Sequence, residues 1–443
     1  MYEEKIENKI FLNNKKRQCT IFYWFICGLS ALYYSYEYFL RIFPSVMESS
    51  LREYFHLSAT GFGFLSVFYY CAYVPMQLPV GMLLDYYGPR LSLTVACCFC
   101  VIGTFVFSNT NIFWIAAVGR FLVGFGSSFA FVGVLKLATI WLPRDKLALI
   151  AGITASLGTI GAMIADNLLG ELVIAVGWKR AINFTALFGF FLVIMLWIGI
   201  RDKKQYEVSD NLYLSFKKSF ISLCVIICNK QIWVNGFFGC LVYLPTTVFA
   251  ELWGVPYLVH ACNFTQEEAN FANSLLFFGF TVGAPLMGYI SDRLRCRKIP
   301  MLFGASGAAG VMLIILYYPW LSKCSINFLV FILGILYSVQ CIVFVIGREI
   351  GSEEYSGTSM AVTNMIVMLG AMFLQPFVGN LLDLSLSLHT SKVFLGNIDN
   401  INRVKDLYTR IDYQFALSSI PIGIIIAVIL AFFLKETYVN KTK

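Results

Sequence analysis

"GMLLDYYGPR", residues 81–90, reads as a short polar turn between two long apolar runs, and "GYISDRLRCRK", residues 288–298, repeats it. Gly81 and Gly288 stand 207 positions apart, and so do Asp85 and Asp292. Equal offsets in two residue types indicate an internal duplication. Each copy follows the second apolar run of its half, so the two halves share one topology.

The chain around these turns is apolar. Of its 443 residues, 58% are hydrophobic and 13% are charged, with a net charge of +8. A soluble protein carries about twice that charged fraction. Runs of roughly 20 apolar residues, long enough to cross about 30 Å of hydrocarbon as a helix, recur throughout. The pattern predicts an all-α membrane protein with twelve spans, near 20–44, 60–84, 91–109, 112–142, 147–176, 181–200, 231–253, 269–290, 299–320, 325–347, 359–384 and 413–434. These divide into a cytoplasmic tail (1–19), a six-helix bundle (20–200), a cytoplasmic linker (201–230), a second six-helix bundle (231–434) and a short tail (435–443). The linker joins a polar loop to "ISLCVIICNK" (221–230), which reads as a short interfacial helix. The first run holds charges and no small-residue cleavage site comes after it, so a span is expected rather than a cleaved signal.

A cytoplasmic N-terminus puts 22 of the 33 Lys and Arg residues on that side, 8 outside, and Arg41, Arg120 and Lys136 within spans. This bias predicts both termini inside a cell membrane. The basic residues thus orient the chain in a lipid bilayer and suggest no nucleic acid partner. His56, His260 and His389 fall in predicted loops, and the thirteen cysteines lack metal-ligand spacing, so no metal or cofactor is expected. No nucleophile–base pair suggests an enzyme, and no Walker sequence suggests ATP as an energy source.

Charges inside spans mark candidate sites, because facing lipid would cost a few kcal/mol or more. In "YYSYEYFLR" (33–41), Tyr33, Glu37 and Arg41 share one helix face at i, i+4 and i+8. Arg120 lies at similar depth in the antiparallel fourth span. Glu37 is expected to pair with Arg120, or with Arg41 one turn on. Arg120 could instead snorkel to the interface, and Lys136, nearer a span end, is read that way. Tyr69, Tyr73 and Gln77 repeat the spacing in span 2, as cavity lining or as core. Asp166 in span 5 is a second candidate proton site, or a partner of Lys179 or Arg180. In the second half, Pro245 interrupts span 7 beside Thr246 and Thr247. Glu251 falls near the outer end of that span, within reach of water. Gln340, Asn364 and Gln375 add cavity hydrogen-bonders or interhelical contacts.

The repeated turn resembles the signature loop of the major facilitator superfamily. Gly81, Asp85, Gly88 and Arg90 match it, with Tyr86 and Pro89 where basic residues are usual. Gly288, Asp292, Arg293 and Arg297 match the second copy, and Arg295 replaces a glycine. Arg120-x-x-x-Gly124-x-Gly126 is similar to a second family motif, whose arginine is associated with proton coupling in many members. The resemblance covers the whole chain. It implies two bundles rocking about a central cavity lined by spans 1 and 4, with the turn residues as a conformational latch. The Gly-Pro that the family's antiporters carry in span 5 is missing, which favours uptake. "YEYFLRIFPSVM", "YVPMQLPVGMLLDYYGPR", "FAELWGVPYL" and "LKET" together resemble a branch that includes phagosomal nutrient transporters of intracellular bacteria and is related to lysosomal dipeptide carriers. That branch implies symport of protons with an amino acid or small peptide across a bacterial inner membrane. The transporter would be a monomer working by alternating access. Glu37 would meet the substrate's amine, and Arg120 or Arg41 its carboxylate. A drug or metabolite exporter of the same fold is the alternative. A non-transporting nutrient sensor is a third, for which expected tails of about 20 and 9 residues are short.

Overall fold

The structure, a computed structural model, describes residues 2–142, 147–201, 221–318, 320–351, 356–394 and 408–438. The polar loop at 202–220, residues 439–443 of the expected tail, and the basic residues counted there lie outside the described residues.

Every element among the described residues is a helix. The first expected span lies in α1 (Tyr2–Val46). The second begins after α2 (Glu48–Phe55) and is divided between α3 (Ala59–Met76) and α4 (Val80–Tyr87). The third and fourth are α5 (Pro89–Ser108) and α6 (Phe113–Trp141). The fifth is α7 (Leu147–Ile164), a π turn (Ala165–Leu169) and α8 (Gly170–Val176), and the sixth is α9 (Trp178–Gly199). The second half opens with α10 (Lys230–Val242), a π segment (Pro245–Trp253) and α11 (Gly254–Cys262). It continues with α12 (Gln266–Leu294), α13 (Lys298–Tyr317), α14 (Lys323–Tyr337) and α15 (Gln340–Ile350). It closes with α16 (Ser356–Phe394), α17 (Arg410–Leu417) and α18 (Ser419–Phe433). The twelve expected spans map onto these elements in order. By length and composition, ten helices can cross a membrane, and the pair α2–α3, bent by 104°, makes an eleventh. His260 and His389, expected in loops, lie within α11 and α16. The apolar run past Gly254 simply continues the seventh span to Cys262.

Local chemistry sets the helix starts. Ser58 accepts from Gly61 N at the start of α3. Thr265 with Glu268, and Thr409 with Asp412, form capping boxes for α12 and α17. The outer faces carry exposed Phe105, Trp114, Ile198, Phe303, Phe328 and Phe432, as lipid contact requires. Inside the first half α6 packs on α3 and α5. Gly124 makes that possible, since a Cβ there would collide with the Tyr69 carbonyl oxygen.

The halves meet along α3–α16 and α7–α12. At the end remote from the repeated turns, Asp383 of α16 caps the N-terminus of α3 in the other half. Its carboxylate accepts from Ala59 N (3.1 Å), Thr60 N (2.8 Å), Thr60 Oγ1 (2.6 Å) and Tyr408 OH (2.5 Å). Gly63 admits Pro376 beside it: a Cβ there would lie 2.6 Å from the proline Cα.

At the opposite end the two turn copies hold their own halves. Lys136 reaches the span end as expected and there ion-pairs with the half-exposed Asp85. Arg90 donates from Nε to the Trp197 carbonyl (2.9 Å) and lies over its ring. In the second copy Arg297 bridges Asp292 (2.7 Å) and Glu349 (2.9 Å), while Arg293 is exposed. Gly88 has φ 79°, and Arg295 at the equivalent position has φ 50°. Gly88, with ψ 154°, holds a positive-φ extended backbone open essentially to glycine alone, whereas Arg295, with ψ 39°, takes the left-handed helical region at a cost of about 1 kcal/mol.

Glu436, beyond α18, fastens the second copy. Partial burial would raise its carboxyl. Donation from the Cys296 thiol and from the Arg297, Tyr438 and Lys298 backbone N–H groups outweighs this and holds it down at about 2. A depressed carboxyl stabilises the fold above its unfolded value, near 4.5, and loses that contribution as pH falls toward 2. Glu436→Gln should therefore melt below the wild type at pH 6–7, with the difference shrinking as pH drops from about 5 to 3. Thermal melts in detergent across that range check it; a gap that stays constant with pH counts against the contact.

Candidate functional site

The charged residues read from span 1 and the tyrosines read from span 2 converge at the centre of the molecule. Arg41 reaches back one helical turn to Glu37, with Nη2 at 2.5 Å and Nε at 3.0 Å from Oε1. Tyr69 of α3 donates its hydroxyl to the same Glu37 oxygen, and Arg41 Nε lies 3.2 Å from that hydroxyl. The guanidinium is sandwiched by aromatic faces, 4.4 Å from the Tyr38 centroid and 5.0 Å from that of Tyr73. Across the interface, Glu251 of the second half stands 3.7 Å from Arg41 Nη1. Tyr70 donates to the other Glu251 oxygen. Tyr38 and Tyr243 hydroxyls meet at 3.3 Å, also across the halves. All these side chains are buried.

Glu37 Oε2, Arg41 Nη1 and Glu251 Oε1 have no hydrogen-bond partner. Unpaired polar atoms are uncommon in buried positions and each costs roughly 1–3 kcal/mol. Here three of opposite sign crowd one spot between the halves.

Several expectations are resolved by these contacts. Glu37 pairs with Arg41 and not with Arg120. Arg120 is buried rather than snorkelling: its Nη1 donates to the Leu40 carbonyl (2.8 Å), and it faces the Phe43 and Tyr69 rings at 4.9 and 5.0 Å. Tyr33 shares the helix face only nominally. It donates to the Gly126 carbonyl (2.9 Å) beside Cys100, which ties α1 to α6 away from the charged centre. Gln77 and Asn364 join the two halves at 2.9 Å. Gln340 is buried at the start of α15, and Gln375 donates to the Thr247 carbonyl (2.5 Å).

Glu251 is the residue that sequence reasoning missed, since its position in the apolar run suggests a span end. Pro245 opens a π segment whose wide turns take up extra residues and re-aim the side chains beyond it. With the helix running on to Cys262, Glu251 turns inward and is 1% exposed. The apolar "VPYLV" after it is the available signal. Asp166 also lies in a π turn. It pairs with neither Lys179 nor Arg180: Lys179 binds Tyr54 OH (2.6 Å), Arg180 is exposed, and Asp166 accepts from Asn273 of the second half (2.9 Å).

The sequence pattern of the Major Facilitator Superfamily matches residues 25–374, most of the chain. The chain belongs to that superfamily. It is a multi-span membrane transporter, not an enzyme. The mouse lysosomal dipeptide transporter MFSD1 is 24% identical over 377 residues, 78% of this chain and 77% of the relative. A probable sulfoacetate transporter from Cupriavidus necator is 25% identical over 296 residues, 61% of this chain and 65% of that one. A bacterial homologue of the human lysosomal transporter Spinster, solved in an inward-facing and unoccupied conformation, shares the fold: its TM-score is 0.76 at 16% identity, over 93% of this chain and 97% of that one.

In this superfamily member, the central triad ties two halves through one arginine. Removing the shared cation should hurt more than neutralising one anion. Arg41→Leu strips both buried carboxylates of their ion-pair partner, a loss of roughly 3–5 kcal/mol. Glu37→Gln keeps the shape and leaves Arg41 paired with Glu251. Melting in detergent should show a large drop for the first and a small one for the second. Equal drops would mean that the triad is not electrostatically shared.

Proposed function

We propose that this transporter takes up a small zwitterionic nutrient, an amino acid or small peptide, together with protons, by alternating access. The observation behind this is Arg41 held between Glu37 and Glu251 of opposite halves. A substrate carboxylate can take the guanidinium, and a substrate amine can take a carboxylate. The exchange at Arg41–Glu251 replaces a contact across the halves with contacts to the substrate, and the exchange at Glu37 replaces a contact within α1. Tyr69, Tyr70, Tyr73 and Tyr243 supply amphipathic walls around it. The relatives transport a dipeptide and, by its name, sulfoacetate, and both substrates carry carboxylates.

The moving bodies in this reading are residues 20–200 and 231–434. The Asp383 cap closes the outer side, while the loops around Asp85–Lys136 and Asp292–Arg297–Glu349 keep each half rigid on the cytoplasmic side. Gln77 and Asn364 span the seam nearer those loops. A bacterial inner membrane, cytoplasmic termini and a monomer complete the proposal.

Uptake of labelled amino acids and dipeptides into proteoliposomes, with and without an inward proton gradient, tests it. The gradient should drive accumulation of at least one such solute. Transport indifferent to the gradient would remove proton coupling, and no movement of any of these solutes would remove the substrate class. Glu37→Gln should raise KM about tenfold or more for a solute whose amine it binds, the cost of one charge-assisted hydrogen bond. An unchanged KM would place the amine elsewhere.

A further inference from the structure

A second buried carboxylate lies apart from the triad. Asp166 is 0% exposed, in the π turn between α7 and α8. Its Oδ2 accepts from Asn273 Nδ2 at 2.9 Å, and its Oδ1 has no partner. Asn273 is itself buried, and its Oδ1 is also without a partner. The same Asn273 Nδ2 donates to the Ala250 carbonyl at 3.0 Å, one residue before Glu251. One amide therefore links the π turn of the first half to the π segment that aims Glu251.

The neighbours of Asp166 leave it without a compensating charge. From α1, Arg41 and Glu37 are committed to each other, and Tyr38 to Tyr243. From the π segment, Glu251 is committed to Tyr70 and Arg41. From α12 the facing side chains are the neutral amides Asn270 and Asn273. On α8 Glu171 is exposed, and on α9 Lys179 is held by Tyr54. In the buried centre, Glu37 and Glu251 are balanced by Arg41 and Arg120, so Asp166 is one negative charge in excess. A lone ionised carboxylate in an apolar interior is disfavoured by far more than one amide donor returns.

We infer that Asp166 is the proton-loading site of this transporter, and that Asn273 ties its charge state to the Glu251 segment. This rests on the proton-coupled reading above and names the group that carries the proton. A proton needs one oxygen, and Asp166 Oδ1 offers it. Two unpartnered oxygens fall short of the shell of roughly six that a hard metal cation gathers. The proton forms an O–H bond on Oδ1 from water on one side and leaves to water on the other. The neutral form suits the closed α7–α12 seam, where Thr159 and Thr281 also meet. The ionised form demands solvent and so favours a seam opened to water.

Asp166→Asn keeps the shape of the protonated acid and cannot release a proton. In proteoliposomes it should lose gradient-driven accumulation while retaining exchange of labelled for unlabelled substrate, and exchange itself reports correct folding. In parallel, wild-type protein treated with a hydrophobic carbodiimide should be modified at Asp166, as peptide mass mapping would show. Wild-type-like accumulation by the variant would overturn the inference. So would carbodiimide labelling of Glu37 or Glu251 with Asp166 left unmodified, as would accumulation driven by a sodium gradient at clamped pH. Failure of the wild type itself to respond to a proton gradient would instead fell the underlying reading, so the two failures are distinguishable.

Discussion

A buried charge must find its opposite inside the protein, and Arg41 is where this molecule meets that constraint. The guanidinium serves Glu37 on its own helix and Glu251 on the other half. Buried ion pairs seldom add net stability over apolar residues of the same size, but leaving one member alone is costly. A cation shared between the two halves therefore specifies how they meet more than how tightly.

Two π interruptions make that geometry possible. One sits in the fifth span and one in the seventh, in different halves, and each carries a buried carboxylate. A regular α-helix would repeat its apolar pattern and keep one face inward. The wider π turn changes the phase, so an acidic residue can enter the seam without dragging its neighbours out of the lipid-facing surface. Asn273 bonds to both interruptions, to the Asp166 carboxylate in one and to the Ala250 carbonyl beside Glu251 in the other.

The duplicated turns show how one sequence device diverges. Both turn on a positive φ at the same position, extended at Gly88 in one copy and left-handed helical at Arg295 in the other. The acid of the first copy reaches a lysine on α6, while that of the second shares Arg297 with Glu349. Charge balance at the ends of the bundles is kept, although the partners differ.

The amino-acid sequence alone determined the twelve helical segments, the doubled architecture and the superfamily. Hydropathy runs, cap residues and a turn repeated at a fixed offset are local signals, and local signals survive in one dimension. It also marked Glu37, Arg41, Arg120 and Asp166, because a charge in an apolar run is conspicuous wherever the chain goes. Only the tertiary structure decided their partners. Arg120 turned to a backbone carbonyl, Tyr33 went into helix packing, Glu251 swung inward and Asp166 met Asn273. Those outcomes depend on the phase change at each π turn and on distances between helices of opposite halves. Neither quantity is written in the spacing of residues along a single helix.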